Sequence, residues 1–115
     1  MNKYHAIRTG TSASRKEARR KRELELKQRA GIISDLKCQV PFELIPTQRE
    51  PDIIGPRGGR KPGKLNEHSC VYVADFVYMQ NGQQIVEDAK GFRTPEYIIK
   101  RKLMLWVHGI KIKEV

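Results

Sequence analysis

Asp75, Asp88 and Lys90 are the residues of this chain whose types and spacing can do chemistry, and one dipeptide, Asn81-Gly82, brings them together. Asn-Gly between two alternating runs is the strongest short hairpin signal, because both central positions of a type I′ turn need positive φ. A two-residue turn there pairs Gln80 with Gln83, and counting outward along the ladder sets Asp75 opposite Asp88. Residues two apart share a face, so Lys90 joins the pair, with Val73, Val77 and Val86 around it. Like charges across a ladder repel, and apolar surroundings add a desolvation cost. A shared proton would relieve the pair. A divalent cation, which takes carboxylate oxygens, relieves it better. The opposite face carries Tyr72, Ala74, Phe76, Tyr78, Ile85 and Ala89, so the hairpin is expected inside a sheet rather than at its edge. Glu87 is the exception on that face, and the pattern assigns it no role.

The elements that must hold this hairpin are legible from caps and periodicity. Residues 1–13 are polar and aperiodic and are expected to form a basic flexible arm, with residues 14–115 as one domain. Ser14-Arg15-Lys16-Glu17 has the form of a capping box, opening a helix that runs to about Arg29 and ends at Gly31. Its apolar face is thin, so caps and propensity carry the assignment. Gln39–Ile45 is expected as a strand. Residues 46–66 hold four Pro and four Gly and are expected as a long exposed basic loop. Ser69–Met79 and Gln84–Gly91 form the hairpin strands. Thr94-Pro95-Glu96 opens a second helix that ends near Gly109, with Trp106 expected in the core. Ile110–Val115 alternates as a final strand. The order α-β-β-β-α-β predicts an α/β domain, with a central mixed sheet flanked by helices.

Charge narrows the partner. The 115 residues carry 23 basic and 13 acidic side chains, a net charge of +10. Residues 1–30 hold ten basic and three acidic groups, 49–64 five and two, and 90–113 seven and one. Such a distribution suits a polyanion. Arg15, Lys16, Arg19 and Arg20 on the first helix, Arg57, Arg60 and Lys61 in the loop, and Arg93, Lys100 and Arg101 on the second helix are the candidate nucleic-acid contacts. No apolar run is long enough for a membrane span, and no leader is readable, so a cytoplasmic location (the host cytoplasm if phage-encoded) is expected. Two cysteines, Cys38 and Cys70, do not make a disulfide scaffold. His5, His68 and His108 have no zinc-ligand spacing with them. Gly55-Pro-Arg-Gly58-Gly59 lacks the strand and helix context of a phosphate-binding loop.

Asp75, a spacer, then Asp88-Ala89-Lys90 resembles the PD-(D/E)XK nuclease motif, with Ala74 where that motif has Pro. Val73-Ala-Asp75-Phe-Val, Val86-Glu-Asp88-Ala-Lys90-Gly and Gly109-Ile-Lys-Ile-Lys-Glu-Val115 resemble a family of small, mostly phage-encoded proteins of long-unassigned function placed in that superfamily. The likeness runs from about Ser14 to Val115, and the loop over 46–66 departs from it. The resemblance implies a restriction-endonuclease-like fold and Mg²⁺ or Mn²⁺ held by Asp75 and Asp88. It also implies a further acid on the first helix at Glu17 and a water-orienting role for Lys90. Glu17 has a second reading as the partner of the helix cap, and Glu43 is a further ligand candidate.

The expected function is a metal-dependent DNA endonuclease, selective for branched or otherwise structured DNA in phage DNA metabolism, acting as a homodimer where both strands are cut. The competing reading is a non-catalytic nucleic-acid binder built on the arginine-rich helix. It explains the charge and leaves Asp75 and Asp88 facing each other without reason. A protein-interaction factor with a basic arm ranks last.

Overall fold

A computed structural model describes residues 12–115. The helix α1 (Ser12–Arg29) leads into β1 (Ser34–Ile45). Four short strands follow, β2 (Gln48–Arg49), β3 (Ile53–Ile54), β4 (Arg60–Lys61) and β5 (Leu65–Glu67). The chain closes with β6 (Cys70–Gln80), β7 (Gln83–Asp88), α2 (Pro95–His108) and β8 (Lys113–Glu114). The main sheet has the order β1-β6-β7-β8, with antiparallel pairing except at the parallel β7–β8 edge. This is the expected mixed α/β architecture.

The turn behaves as the dipeptide predicts. Asn81 and Gly82 sit at φ 51 and 76, and Gln80 pairs with Gln83, then Tyr78 with Ile85 and Phe76 with Glu87. The hairpin is central, flanked by β1 and β8. Helix α2 also starts and stops as expected: the Thr94 hydroxyl accepts from the Tyr97 N–H at 3.1 Å, Pro95 opens the first turn, and Gly109 closes it at φ 68.

Several boundaries differ. Helix α1 begins at Ser12, so Ser14 lies inside it, the capping box is not its start, and the expected arm loses its last two residues to the helix; the rest of that arm lies outside the described residues. Strand β1 begins at Ser34, five residues before the expected Gln39, because Asp35 and Gln39 take positive φ and break the alternation. Residues 46–66 are not a plain loop: β2 pairs with β5 and β3 with β4, giving a two-stranded ribbon too short in each strand to show periodicity. Strand β7 stops at Asp88, leaving Lys90 and Gly91 beyond it, and β8 spans only Lys113–Glu114.

The core is in two parts, one on each side of the sheet. Leu24 of α1 packs with Ile33, Phe76 and Tyr78. Tyr97 and Met104 of α2 pack with Leu44, Tyr72, Ala74, Val77, Val86 and Ile112. The expected single face for Tyr72, Ala74, Phe76 and Tyr78 is therefore divided: Tyr72 and Ala74 join Val77 and Val86 instead. The change falls at Asp75, opposite the left-handed Gln39 of β1, where regular alternation is interrupted. Trp106 is not core but 85% exposed. It lies two positions past buried Met104, roughly 200° round the helix at about 100° per residue.

Glu87, unassigned by the sequence, is fully buried on the α1 side. The Arg20 fork donates to both its carboxylate oxygens, Nε to Oε1 at 2.8 Å and Nη2 to Oε2 at 2.7 Å, and the Tyr78 hydroxyl donates to Oε2. Lys113 stands 3.9 Å away. Burial pushes the Glu87 carboxyl up, but these donors outweigh it and hold it below its ordinary value. Removing one member of such a buried pair costs about 3–5 kcal/mol. Arg20→Ala should therefore lose stability of that order at neutral pH in urea unfolding. A depressed carboxyl stabilises the fold above its unfolded pKa and loses that contribution as pH falls through the folded one. The deficit of the variant should accordingly shrink on acidification below the ordinary 4.5; a deficit independent of pH would refute the pairing.

Candidate active site

The β6–β7 ladder runs to Phe76–Glu87, one step short of Asp75 and Asp88. There the side chains take over from the backbone. Asp75 Oδ2 accepts the Ala89 N–H at 2.9 Å. Asp88, 2% exposed, accepts the Tyr72 hydroxyl on Oδ2 at 2.5 Å. Its other oxygen, Oδ1, is buried with no hydrogen-bond partner. Lys90 lies past the strand end, and its Nζ approaches that same Oδ1 at 3.7 Å, an ion pair and not a hydrogen bond. Asp75 and Asp88 thus lie just past the last ladder pair, near enough for Asp75 to act on the Asp88 carboxyl, with the Lys90 amine beside Asp88.

Glu17 reaches the site from α1 through a residue that the sequence does not mark. Gln39 Nε2 donates to Glu17 Oε2 at 3.0 Å and lies 3.4 Å from Asp75 Oδ1. Gln39 faces Asp75 between the pairs Cys38–Phe76 and Val40–Ala74, at φ 54. No sequence signal distinguishes a polar strand residue with this backbone from any other glutamine. Tyr72 is a second unpredicted participant. Burial and the neighbouring Asp88 push its hydroxyl far above the ordinary range, so it remains a donor.

The electrostatics tie the acids together. Burial lifts Asp88 above its ordinary value; the Tyr72 hydrogen bond opposes this, Asp75 adds to it, and Lys90 again opposes. Glu17 is raised by burial and then by Asp75 and Asp88, against Lys90 and Lys21. Carboxylates crowded closely enough to raise Glu17 and Asp88 in this way favour a cation between them. Among the described residues, however, no three His, Cys, Asp or Glu side chains converge as a ready-made metal cage. What fits a hard divalent ion is the donor chemistry: a buried, unpartnered carboxylate oxygen on Asp88, beside Asp75.

Around the acids, Lys90 Nζ stands 4.9 Å over the Tyr97 ring, and the Lys90 carbonyl accepts from Lys16 Nζ at 3.3 Å. A cavity of about 300 Å³ lined by Tyr72, Lys90, Thr94, Tyr97 and Lys100 opens beside it. Glu114 gathers the Tyr97 hydroxyl at 2.7 Å and the guanidinium groups of Arg93 and Arg101, and these donors draw its carboxyl down to about 2.

The remaining candidates disperse. Arg20 is committed to Glu87, Arg93 and Arg101 to Glu114, and Lys100 to Glu96 at 3.1 Å while it lines the cavity. Arg15 and Arg19 are exposed on α1. Arg57, Arg60 and Lys61 are exposed on the ribbon. Glu43 is exposed opposite Val71 and does not join the acids. His108 Nε2 lies 2.7 Å from the Glu43 carbonyl, His68 is exposed, and His5 lies outside the described residues. Cys38 and Cys70 are free thiols. Among the described residues no helix is long and apolar enough to cross a membrane.

Fold and site together define a mixed α/β domain whose central hairpin carries two neighbouring aspartates, with a lysine just past its second strand. The chain belongs to the family described as "Protein of unknown function (DUF1064)", whose model matches residues 1–112. No curated protein and no solved structure matches it.

The orphaned oxygen has a consequence for stability. A buried polar atom without a partner costs about 1–3 kcal/mol. Asp88→Asn keeps the Tyr72 hydrogen bond, removes the charge and should raise stability at neutral pH by about 1 kcal/mol. A raised carboxyl contributes stability that is complete below its unfolded pKa, near 3.8, and is lost as pH rises through the folded one. The advantage of the variant should therefore open between acid and neutral pH in urea unfolding. Equal stability of the two proteins at neutral pH would show that the Lys90 ion pair fully offsets the burial of the Asp88 carboxylate and would contradict a net cost at its unbonded oxygen.

Proposed function

We propose that this protein is a metal-dependent endonuclease that hydrolyses DNA phosphodiester bonds. The observation that carries the reading is Asp88 Oδ1, buried without a partner, next to Asp75 and within reach of Lys90. The resemblance to the PD-(D/E)XK motif and the net charge of +10 support it. Asp75 and Asp88 would hold Mg²⁺ or Mn²⁺, with Glu17 as the additional acid. Such an ion, when bound, polarises the scissile phosphate and lowers the pKa of a water.

The protein's own groups have separable parts. The Tyr72 hydroxyl and the Ala89 N–H each engage one carboxylate oxygen, of Asp88 and Asp75 respectively, which would leave Asp88 Oδ1 and, beyond its long contact with Gln39, Asp75 Oδ1 for an ion. Lys90, stacked over Tyr97, presents its ammonium to the attacking water or to a non-bridging phosphate oxygen. Gln39 keeps Glu17 at hydrogen-bonding distance while separating it from Asp75. Branched or structured DNA is the substrate class proposed, with a homodimer cutting both strands.

Incubation with branched, duplex and single-stranded DNA in Mg²⁺, Mn²⁺ or EDTA tests the reading. Cleavage should require metal, and Asp75→Asn or Asp88→Asn should lower it on the order of 10³-fold while DNA binding is kept. The lack of a preformed three-acid cage among the described residues favours one alternative, a non-catalytic nucleic-acid binder. Absence of metal-dependent cleavage on every substrate, together with no calorimetric Mg²⁺ or Mn²⁺ site, would decide for that alternative.

A further inference from the structure

The ribbon between β1 and β6 takes no part in the acid site, and its construction asks for a ligand. Every residue from 46 to 62 is exposed except half-buried Gly55. Ile53 and Ile54 remain 54% and 65% exposed, with no apolar cover from the other described residues. From Ile53 to Lys64 there are four cations, Arg57, Arg60, Lys61 and Lys64, and no acid; Asp52 just before them stands 3.7 Å from Arg60, an exposed pair that a phosphate can displace. Ile53 pairs with Lys61 and Ile54 with Arg60, so each face of the ribbon carries one isoleucine and one cation. Arg57 stands at the tip, in a turn closed by the Gly58 N–H on the Gly55 carbonyl at 3.0 Å.

A lone two-stranded hairpin is marginal in water. This one is clamped at its base. The Glu50 N–H donates to the Lys64 carbonyl at 2.8 Å, and Arg49 Nη1 to the Gly63 carbonyl at 3.1 Å. Gly63 is buried so closely that a Cβ there would stand 2.1 Å from the Glu50 carbonyl oxygen. The arm is therefore held out from the domain and not merely loose.

A protein surface covers one face of a ribbon, whereas a groove flanks both. Two faces of like composition, apolar and cationic, suit a slot walled by sugar and phosphate. Side chains on both faces make the ribbon about 10 Å thick. The major groove of B-form DNA, at about 12 Å, admits that, and the minor groove, at about 6 Å, does not. The narrow major groove of duplex RNA is closed to it as well. Asp75 lies five residues along β6 from the ribbon base at Cys70, roughly 17 Å, or about half a helical turn of the duplex.

We infer that the ribbon over residues 46–67 is a DNA-binding arm that lies in the major groove of duplex DNA, with Arg57, Arg60 and Lys61 on phosphates or base edges and Ile53 and Ile54 against the groove. The inference rests on the reading of the chain as acting on DNA, but on none of its carboxylates. The whole protein, with a duplex of about three helical turns in EDTA, tests it. Wild type should protect guanine N7 atoms from dimethyl sulfate. The triple variant Arg57→Ser, Arg60→Ser, Lys61→Ser should lose that protection and at least about tenfold in affinity by anisotropy, with a salt slope less steep by about 0.9 per lost phosphate contact. Ile53→Ser with Ile54→Ser should lose protection and leave the slope unchanged. Circular dichroism of each variant, matching wild type, excludes misfolding. Unchanged affinity and protection in the triple variant would overturn the arm, as would accessible guanine N7 with competition by the minor-groove ligand distamycin. A protein that protects the groove but never cuts with Mg²⁺ or Mn²⁺ keeps the arm and loses the nuclease. One that cuts while the triple variant binds equally does the reverse.

Discussion

The left-handed backbone of Asn81 and Gly82 is the constraint on which the rest of this structure depends. Side chains alternate across a strand, so a slip of one residue would exchange every inward and outward position of the hairpin. With Gln80 set against Gln83, Glu87 turns to the α1 side and Asp88 to the α2 side. The placing of Phe76 and Tyr78 on one side and of Val77 and Val86 on the other follows from that one register, whereas Tyr72 and Ala74 join the latter only through the change of face at Asp75. The cost of putting two adjacent acids into a buried strand end is then met separately on each side of the sheet.

The two acids are treated differently, and the difference separates structure from chemistry. Glu87 receives an arginine fork and a tyrosine hydroxyl, so both its oxygens are satisfied and its charge is held. Asp88 receives one hydroxyl, and its second oxygen is left without a donor beside another aspartate. A protein that only needed stability would gain by removing the second charge. A buried carboxylate of this kind is what the proposed metal site would use. The surroundings are arranged for the same end: Ala89, Tyr72 and Gln39 each engage an acid oxygen, and Lys90 is the nearby cation held over an aromatic ring.

Basic residues divide in the same way. Arg20, Arg93 and Arg101 look like solvated cations in the chain, yet they brace Glu87 and Glu114. The charge left for a polyanion lies on the exposed part of α1 and on the ribbon, where only Arg60 has an acid close by, Asp52 at 3.7 Å, with Lys16 near the acid site. A large net charge therefore says less about where a ligand binds than its pairing does.

The order of elements, the hairpin register as far as Phe76–Glu87 and the caps of α2 were legible in the chain because each rests on local backbone chemistry. A turn that needs positive φ, a hydroxyl that caps a helix and a two-residue period are properties of neighbours in sequence. The start of β1, the ribbon, the exposure of Trp106 and the face change at Asp75 were not legible, since they depend on left-handed residues inside a strand, ladders of two residues and the side on which α2 docks. Sequence alone determined the hairpin register that sends Glu87 and Asp88 to opposite sides of the sheet. Tertiary structure alone decided which of them would be satisfied. The partners that make the difference, Arg20 for Glu87 and Gln39 between Glu17 and Asp75, are 67, 22 and 36 residues away along the chain, and no local pattern records contacts at that distance.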